Sequence, residues 1–188
     1  MDIALTERLI KAIYIVLIGV YKKSDNPICS GFPRVDDLNT SMLRVCIQRP
    51  YNAFGTKILY PHVLHKASVF MQSIVTFHPF IDGNKRMSLL CTSYYLHVNG
   101  YMFKIPPNAD EFVIKIATDD LDINTIFNWL IKYTTRTPIT TFGHLQYKFI
   151  LGNKSQFLFL LFEKIQTVFN KIFVILPSKK KLRKMQAF

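Results

Sequence analysis

His78-Pro79-Phe80-Ile81-Asp82-Gly83-Asn84-Lys85-Arg86 separates two long apolar runs, and its reading decides the fold. Before it, residues 63–77 place apolar side chains at 63, 64, 67, 70, 71, 74 and 75, one buried face of a helix. After it come Met87, Leu89, Leu90, Cys91, Tyr94, Tyr95, Leu96 and Val98, closed by Asn99-Gly100, a common helix stop. A helix this apolar all round belongs at the centre of a domain. The spacing therefore predicts a central helix pair joined by a polar loop.

The loop residues point to one kind of chemistry. N–H groups at the start of a helix lack intrahelical partners and, with the helix dipole, favour anions. Gly83 and Asn84 stand at such a start. Lys85 and Arg86 oppose the dipole in the first turn, a placement that makes sense where phosphates bind. Asp82 adds a hard oxygen ligand of the kind that holds Mg²⁺ beside phosphates. His78 is the one loop residue able to take a proton near neutral pH, which suits a general base acting on a hydroxyl. Phe80, among apolar and proline neighbours, is expected to anchor the loop. A lone histidine is more often structural, and Asp-Gly-Asn turns are common; the combination is not.

Outward from the loop, Ile10, Ile13, Tyr14, Leu17 and Ile18 recur at helical spacing, predicting a first helix over 5–22. Asp2, Glu7 and Lys11 interrupt any signal-peptide pattern there, so a cytoplasmic protein is expected. Residues 28–39 read as irregular. Thr40 or Ser41 is expected to cap a short helix over 42–48, ended by Arg49-Pro50. Tyr51, Asn52, Ala53, Phe54, Gly55 and Thr56 open a small hairpin or flap. Residues 101–105 form a short strand or turn, followed by helices over 109–117 and 123–133. The expected class is all-α.

The chain has 188 residues, 49% of them hydrophobic, enough for one compact core. Its net charge of +12 is uneven. Residues 1–137 carry 15 Lys and Arg against 11 Asp and Glu, whereas residues 138–188 carry 9 against Glu163 alone. The first segment has no basic stripe, so nucleic acid is not expected as a partner. Cys29, Cys46 and Cys91 lack CxxC spacing and read as reduced thiols. We divide the chain into a nearly charge-balanced first domain, 1–137, and a basic extension, 138–188. Within the extension, residues 157–176 form an amphipathic pattern followed by the Lys179 to Lys184 run. This helix could cover the domain, bind a partner helix, or lie on an anionic membrane or nucleic acid; a degenerate end is the remaining reading.

HPFIDGNKR resembles the core motif of the Fic/Doc (Fido) family, HxFx(D/E)(G/A)N(G/K)R, at every specified position. Arg49-Pro50, Phe54-Gly55, Tyr60-Pro61, Lys66-Ala67, Asn99-Gly100-Tyr101 and Trp129-Leu130 are similar to the pattern of death-on-curing (Doc) members. The resemblance spans residues 5–135. It implies the helical Fido bundle with a β-hairpin flap near the active site, and transfer of a phosphate-containing group from ATP, with Mg²⁺, to a protein hydroxyl. By matching position it makes His78 the base, Asp82 the metal ligand, Gly83 and Asn84 the anion hole, and Lys85 and Arg86 the phosphate contacts. The flap, 51–56, would align a target segment by strand addition. Many relatives have glycine where Thr56 stands.

Relatives that transfer AMP usually carry glycine at the position of Lys85 and a second arginine at that of Leu89. Lys85 is the Doc-type residue, so the resemblance implies γ-phosphoryl transfer to a Ser/Thr hydroxyl, in the toxin of a toxin–antitoxin pair whose target is a translation factor. AMP transfer (adenylylation) and an inactive binding module are the alternatives. No (S/T)xxxE(G/N) inhibitory motif surrounds Glu7, Glu111 or Glu163, so inhibition would come from a separate antitoxin.

Overall fold

Thr6 starts the first helix. Its hydroxyl accepts from the Leu9 N–H at 3.3 Å and its carbonyl from the Ile10 N–H at 3.1 Å, so helix α1 spans Glu7–Lys23 rather than beginning at Leu5. These contacts come from a computed structural model, which describes residues 2–23 and 38–137. Cys29, most of the irregular 28–39 stretch and the whole 138–188 extension, including the expected 157–176 helix, lie outside the described residues.

Helix α2, Thr40–Gln48, is capped by Asn39 and not by Thr40 or Ser41. Asn39 is extended (φ −73°, ψ 90°), and its side chain accepts from the Met42 N–H at 3.0 Å, which draws the two hydroxyl residues into the first turn. A 3-10 turn, Arg49–Tyr51, leads to a two-stranded hairpin of β1, Ala53–Phe54, and β2, Lys57–Ile58. At its tip Gly55 takes φ +59° while Thr56 does not enter the left-handed region. Turns of this pattern need glycine only at the first central position, so threonine fits where relatives have a second glycine.

Helix α3, Val63–Phe77, and helix α4, Asn84–Val98, are the central pair. Both are buried along nearly their whole length, as the apolar runs require. Helices α5, Ala109–Thr118, and α6, Ile123–Tyr133, pack against α3, and α1 packs against α4. Ile10, Ile13, Tyr14 and Leu17 of α1 are all buried in this core. Strand β3, Tyr101–Phe103, pairs antiparallel with β4, Thr134–Arg136, a partner that the sequence pattern did not announce. The described residues are thus mainly helical with two small antiparallel pairs.

Among the described residues no helix is long and apolar enough to cross a membrane. Cys46 and Cys91 are buried free thiols. Burial pushes the Cys46 thiol up to about 12 and raises Cys91 further.

Candidate active-site loop

The loop between α3 and α4 begins with a backbone reversal. His78 closes α3 in the left-handed conformation, φ 46° and ψ 56°, an uncommon setting for a residue other than glycine. Its ring is exposed, and Nδ1 lies 3.2 Å from the Thr76 carbonyl. A carbonyl oxygen only accepts, so in that contact Nδ1 carries the hydrogen. In the neutral ring this leaves Nε2 as the acceptor.

From Pro79 onward the loop is bound to the domain at Pro79, Phe80, Asp82 and Asn84. The Pro79 carbonyl accepts from the Asn39 N–H at 2.9 Å, tying the loop to the cap of α2. Phe80 is 2% exposed, its ring centroid 4.6 Å from that of Tyr14 in α1. Both backbone polar groups of Phe80 pair with the Asn84 side chain: its N–H donates to Oδ1 at 3.0 Å, and its carbonyl accepts from Nδ2 at 2.6 Å. The Tyr14 hydroxyl donates to the Asp82 carbonyl at 3.3 Å. Ile81 points outward, 66% exposed.

The turn into α4 uses Gly83 at φ +83°. A Cβ there would stand 3.3 Å from Leu17 Cδ2, so both the conformation and the close approach of α1 call for glycine. The Gly83 N–H donates to its neighbour's Asp82 Oδ1 at 2.6 Å, and its carbonyl accepts the first helical bond from the Met87 N–H at 2.8 Å. The N–H groups of Asn84, Lys85 and Arg86 precede that first bond, the position at which a helix binds anions. No acidic residue lies in this first turn. Lys85 is exposed and Arg86 half-buried.

The reading of Asn84 changes in character. Its carboxamide is engaged by Phe80, which leaves its backbone N–H and the second Nδ2 hydrogen as the donors it could offer an anion. For Mg²⁺, the 78–86 loop itself offers one carboxylate, Asp82, whose Oδ1 accepts from the Gly83 N–H. Among the described residues no group of three His, Cys, Asp or Glu could hold a metal ion. A single carboxylate beside a phosphate site fits a hard cation whose remaining ligands are phosphate oxygens and water.

The flap residues fall into two groups. The 3-10 turn packs on α3 with Pro50 buried, whereas Tyr51, Asn52, Ala53, Phe54, Gly55 and Thr56 are all exposed. Phe54 is 82% exposed. Three residues to which the sequence reading gave no part in bracing the site are Tyr14, Asn39 and Arg49, the last named there only as a helix stop and as half of the Arg49-Pro50 pair. Tyr14 was visible only as one of several apolar positions in α1.

Residues 4–96, which contain α1 through most of α4 and the whole loop, match the sequence model of the Fic/DOC family. Through these residues the chain is similar to the Fic/DOC family. The Toxin Doc of Mycolicibacterium smegmatis is 28% identical over 88 residues, covering 45% of this chain and 68% of that relative. No solved structure matches the chain. The Fic/DOC segment ends inside α4, so α5, α6 and the β3–β4 pair lie beyond the match.

Proposed function

We propose that the protein is a Doc-like protein kinase that transfers the γ-phosphoryl group of ATP to a Ser or Thr hydroxyl of a target protein. The observation that carries this reading is the rigidly held loop. It presents an exposed His78 with Nε2 as acceptor at one end and an N–H-rich, cationic helix start at the other. The target hydroxyl would lose its proton to His78 Nε2 as its oxygen bonds to the γ-phosphorus. The bond from that phosphorus to the β,γ-bridging oxygen breaks, and the charge stays on the departing ADP. Lys85, Arg86 and the first N–H groups of α4 would bind the phosphates, and Asp82 would hold Mg²⁺. The metal would neutralise phosphate charge. Such transfer requires little of a protein beyond alignment and electrostatic compensation.

Leu89 favours phosphoryl over AMP transfer. It is 2% exposed and lies in the core, so position 89 supplies no cation to a phosphate chain. The Fic/DOC match supports a transferase, and the likeness to a Toxin Doc supports a toxin held in check by a separate antitoxin. In this reading residues 1–137 are the catalytic unit, acting in the cytoplasm, and the exposed flap aligns the target by strand addition.

The test is label transfer. The full chain and a cell lysate are incubated with Mg²⁺ and ATP labelled at the α or the γ phosphate, beside His78→Ala. Label on a protein from γ-labelled ATP alone is expected, reduced about 10²- to 10⁴-fold in the variant. Label from α-labelled ATP would replace the kinase reading with AMP transfer. Label from neither would overturn transfer altogether and leave a binding module.

A further inference from the structure

The hairpin makes few contacts of its own, yet the turn beneath it is bolted to α3 at two points. At the first, the Arg49 guanidinium donates to Ser73 Oγ at 3.1 Å and lies 5.7 Å from the centre of the Phe77 ring. Phe77 immediately precedes His78. At the second, Lys66 Nζ sits 4.9 Å from the centre of the Tyr51 ring and donates to Asp2 Oδ2 at 2.7 Å. Tyr51 is the last residue of the turn and immediately precedes the hairpin.

Lys66 is 8% exposed, an unusual burial for lysine, and the small cavity around it is lined by Leu5, Pro50, Tyr51, Phe70 and Tyr95 among others. A buried ammonium is tolerated only when paired. Asp2 is that partner, and its carboxylate also accepts from the Tyr95 hydroxyl of α4 at 3.0 Å. Burial acts to raise the Asp2 carboxyl, but the Lys66 and Tyr95 hydrogen bonds outweigh it and hold the group below the usual carboxylate range. The arm that carries Asp2 is itself clamped, because Asn99 Oδ1 accepts from the Ile3 N–H at 2.6 Å and Asn99 Nδ2 donates to the Ile3 carbonyl at 3.0 Å. The N-terminal arm, α3, α4 and the foot of the flap therefore meet at one lysine.

We propose that Lys66 and Arg49 are positioning residues that fix the foot of the flap to the helix ending at His78, so that a segment aligned on the flap is presented in register with the base. The proposal rests on the transfer reading above for its consequence, but the structural lock is measurable without it. Lys66 acts at the near end of the foot, through Tyr51, and Arg49 at the far end, through Phe77. Neither belongs to the loop that would touch phosphate.

The experiment follows amide exchange by NMR in the full chain. The Leu59 N–H, bonded to the Asn52 carbonyl at the base of the hairpin, reports the flap, and the α4 amides report the core. Lys66→Met is expected to accelerate Leu59 exchange about tenfold while α4 keeps its protection. In the transfer assay it is expected to raise KM for the target protein and leave kcat in place. Lys66→Arg, which keeps the charge and the ring contact, is expected to restore both. Unchanged Leu59 exchange in folded Lys66→Met overturns the proposal, as does equal acceleration across α4, which would make the residue merely structural. Should Lys66→Met fail to fold, Asp2→Asn removes only the partner's charge and is judged by the same two outcomes. Absence of transfer in every variant, wild type included, sinks the proposed function and leaves the exchange result to decide the lock.

Discussion

The 78–86 loop and the 52–59 hairpin are both short connections beside the central helix pair, and they are built in opposite ways. The loop is fastened to α1, α2 and α4 by Tyr14, Asn39 and Asn84, and its aromatic anchor is buried. The hairpin has its own antiparallel pairing and a fully exposed surface. The difference teaches where precision is needed. A group that must hold a proton acceptor and an anion site in fixed relation is served by rigid support. A surface that pairs with another chain is served by leaving its backbone edge and side chains uncovered. Mutations should therefore cost stability in the loop and spare it in the hairpin.

Phe80→Ala is expected to break the comparison most severely. It removes a fully buried ring packed on Tyr14 and leaves a cavity beneath the loop, at a cost of about 3–5 kcal/mol in urea unfolding. Asn84→Ala ranks next. It strands the buried N–H and carbonyl of Phe80 and is expected to cost about 2–4 kcal/mol. Asn84→Asp sharpens the point, since a carboxylate still accepts from the Phe80 N–H but no longer donates to its carbonyl. A loss near half that of alanine is expected; equal losses would mean that the acceptor half contributes nothing.

Gly83→Ala tests the entry into α4. The added Cβ meets Leu17 and sits in the left-handed region, with an expected loss of about 1–2 kcal/mol. A stability equal to wild type would show that α1 yields at Leu17 and that the turn tolerates a side chain.

Much of this loop was legible in the sequence because its frame is local. Two apolar runs at helical spacing flank a polar stretch, so α3 and the terminus of α4 at Val98 follow from periodicity and the Asn99-Gly100 stop. What was not legible depends on contacts between distant residues. Tyr14 meets Asp82 across 68 positions, and Asn99 meets Ile3 across 96. Asn84 shows a second limit: its residue type suits an anion contact and a loop staple equally, and only the direction of the amide tells them apart. β4 was missed because three residues following a helix, Thr134–Arg136, carry too short a β-branched signal to stand against the helical pattern beside them. The cap of α2 was misplaced by one or two residues because Asn39, Thr40 and Ser41 are all good cappers, and the backbone of Asn39 alone is extended where capping requires it.

Phe54→Ala is the smallest expected effect on stability and the sharpest probe of the hairpin. The ring is 82% exposed and, among the described residues, does not pack on the core, so urea unfolding should stay within about 0.5 kcal/mol of wild type. The pairing Phe54↔Lys57 puts these two side chains on one face of the hairpin, with Ala53 and Ile58 on the other. Removing the ring therefore strips one apolar feature from one face and leaves the backbone edge intact. If the hairpin aligns a target by main-chain pairing alone, KM for the target in the transfer assay will stay near the wild-type value. If the Phe54 face also grips a target side chain, KM will rise while stability does not. A loss of stability beyond that bound would show that the Phe54 ring helps to hold the hairpin in place, and the contrast between a braced loop and an open hairpin would fail.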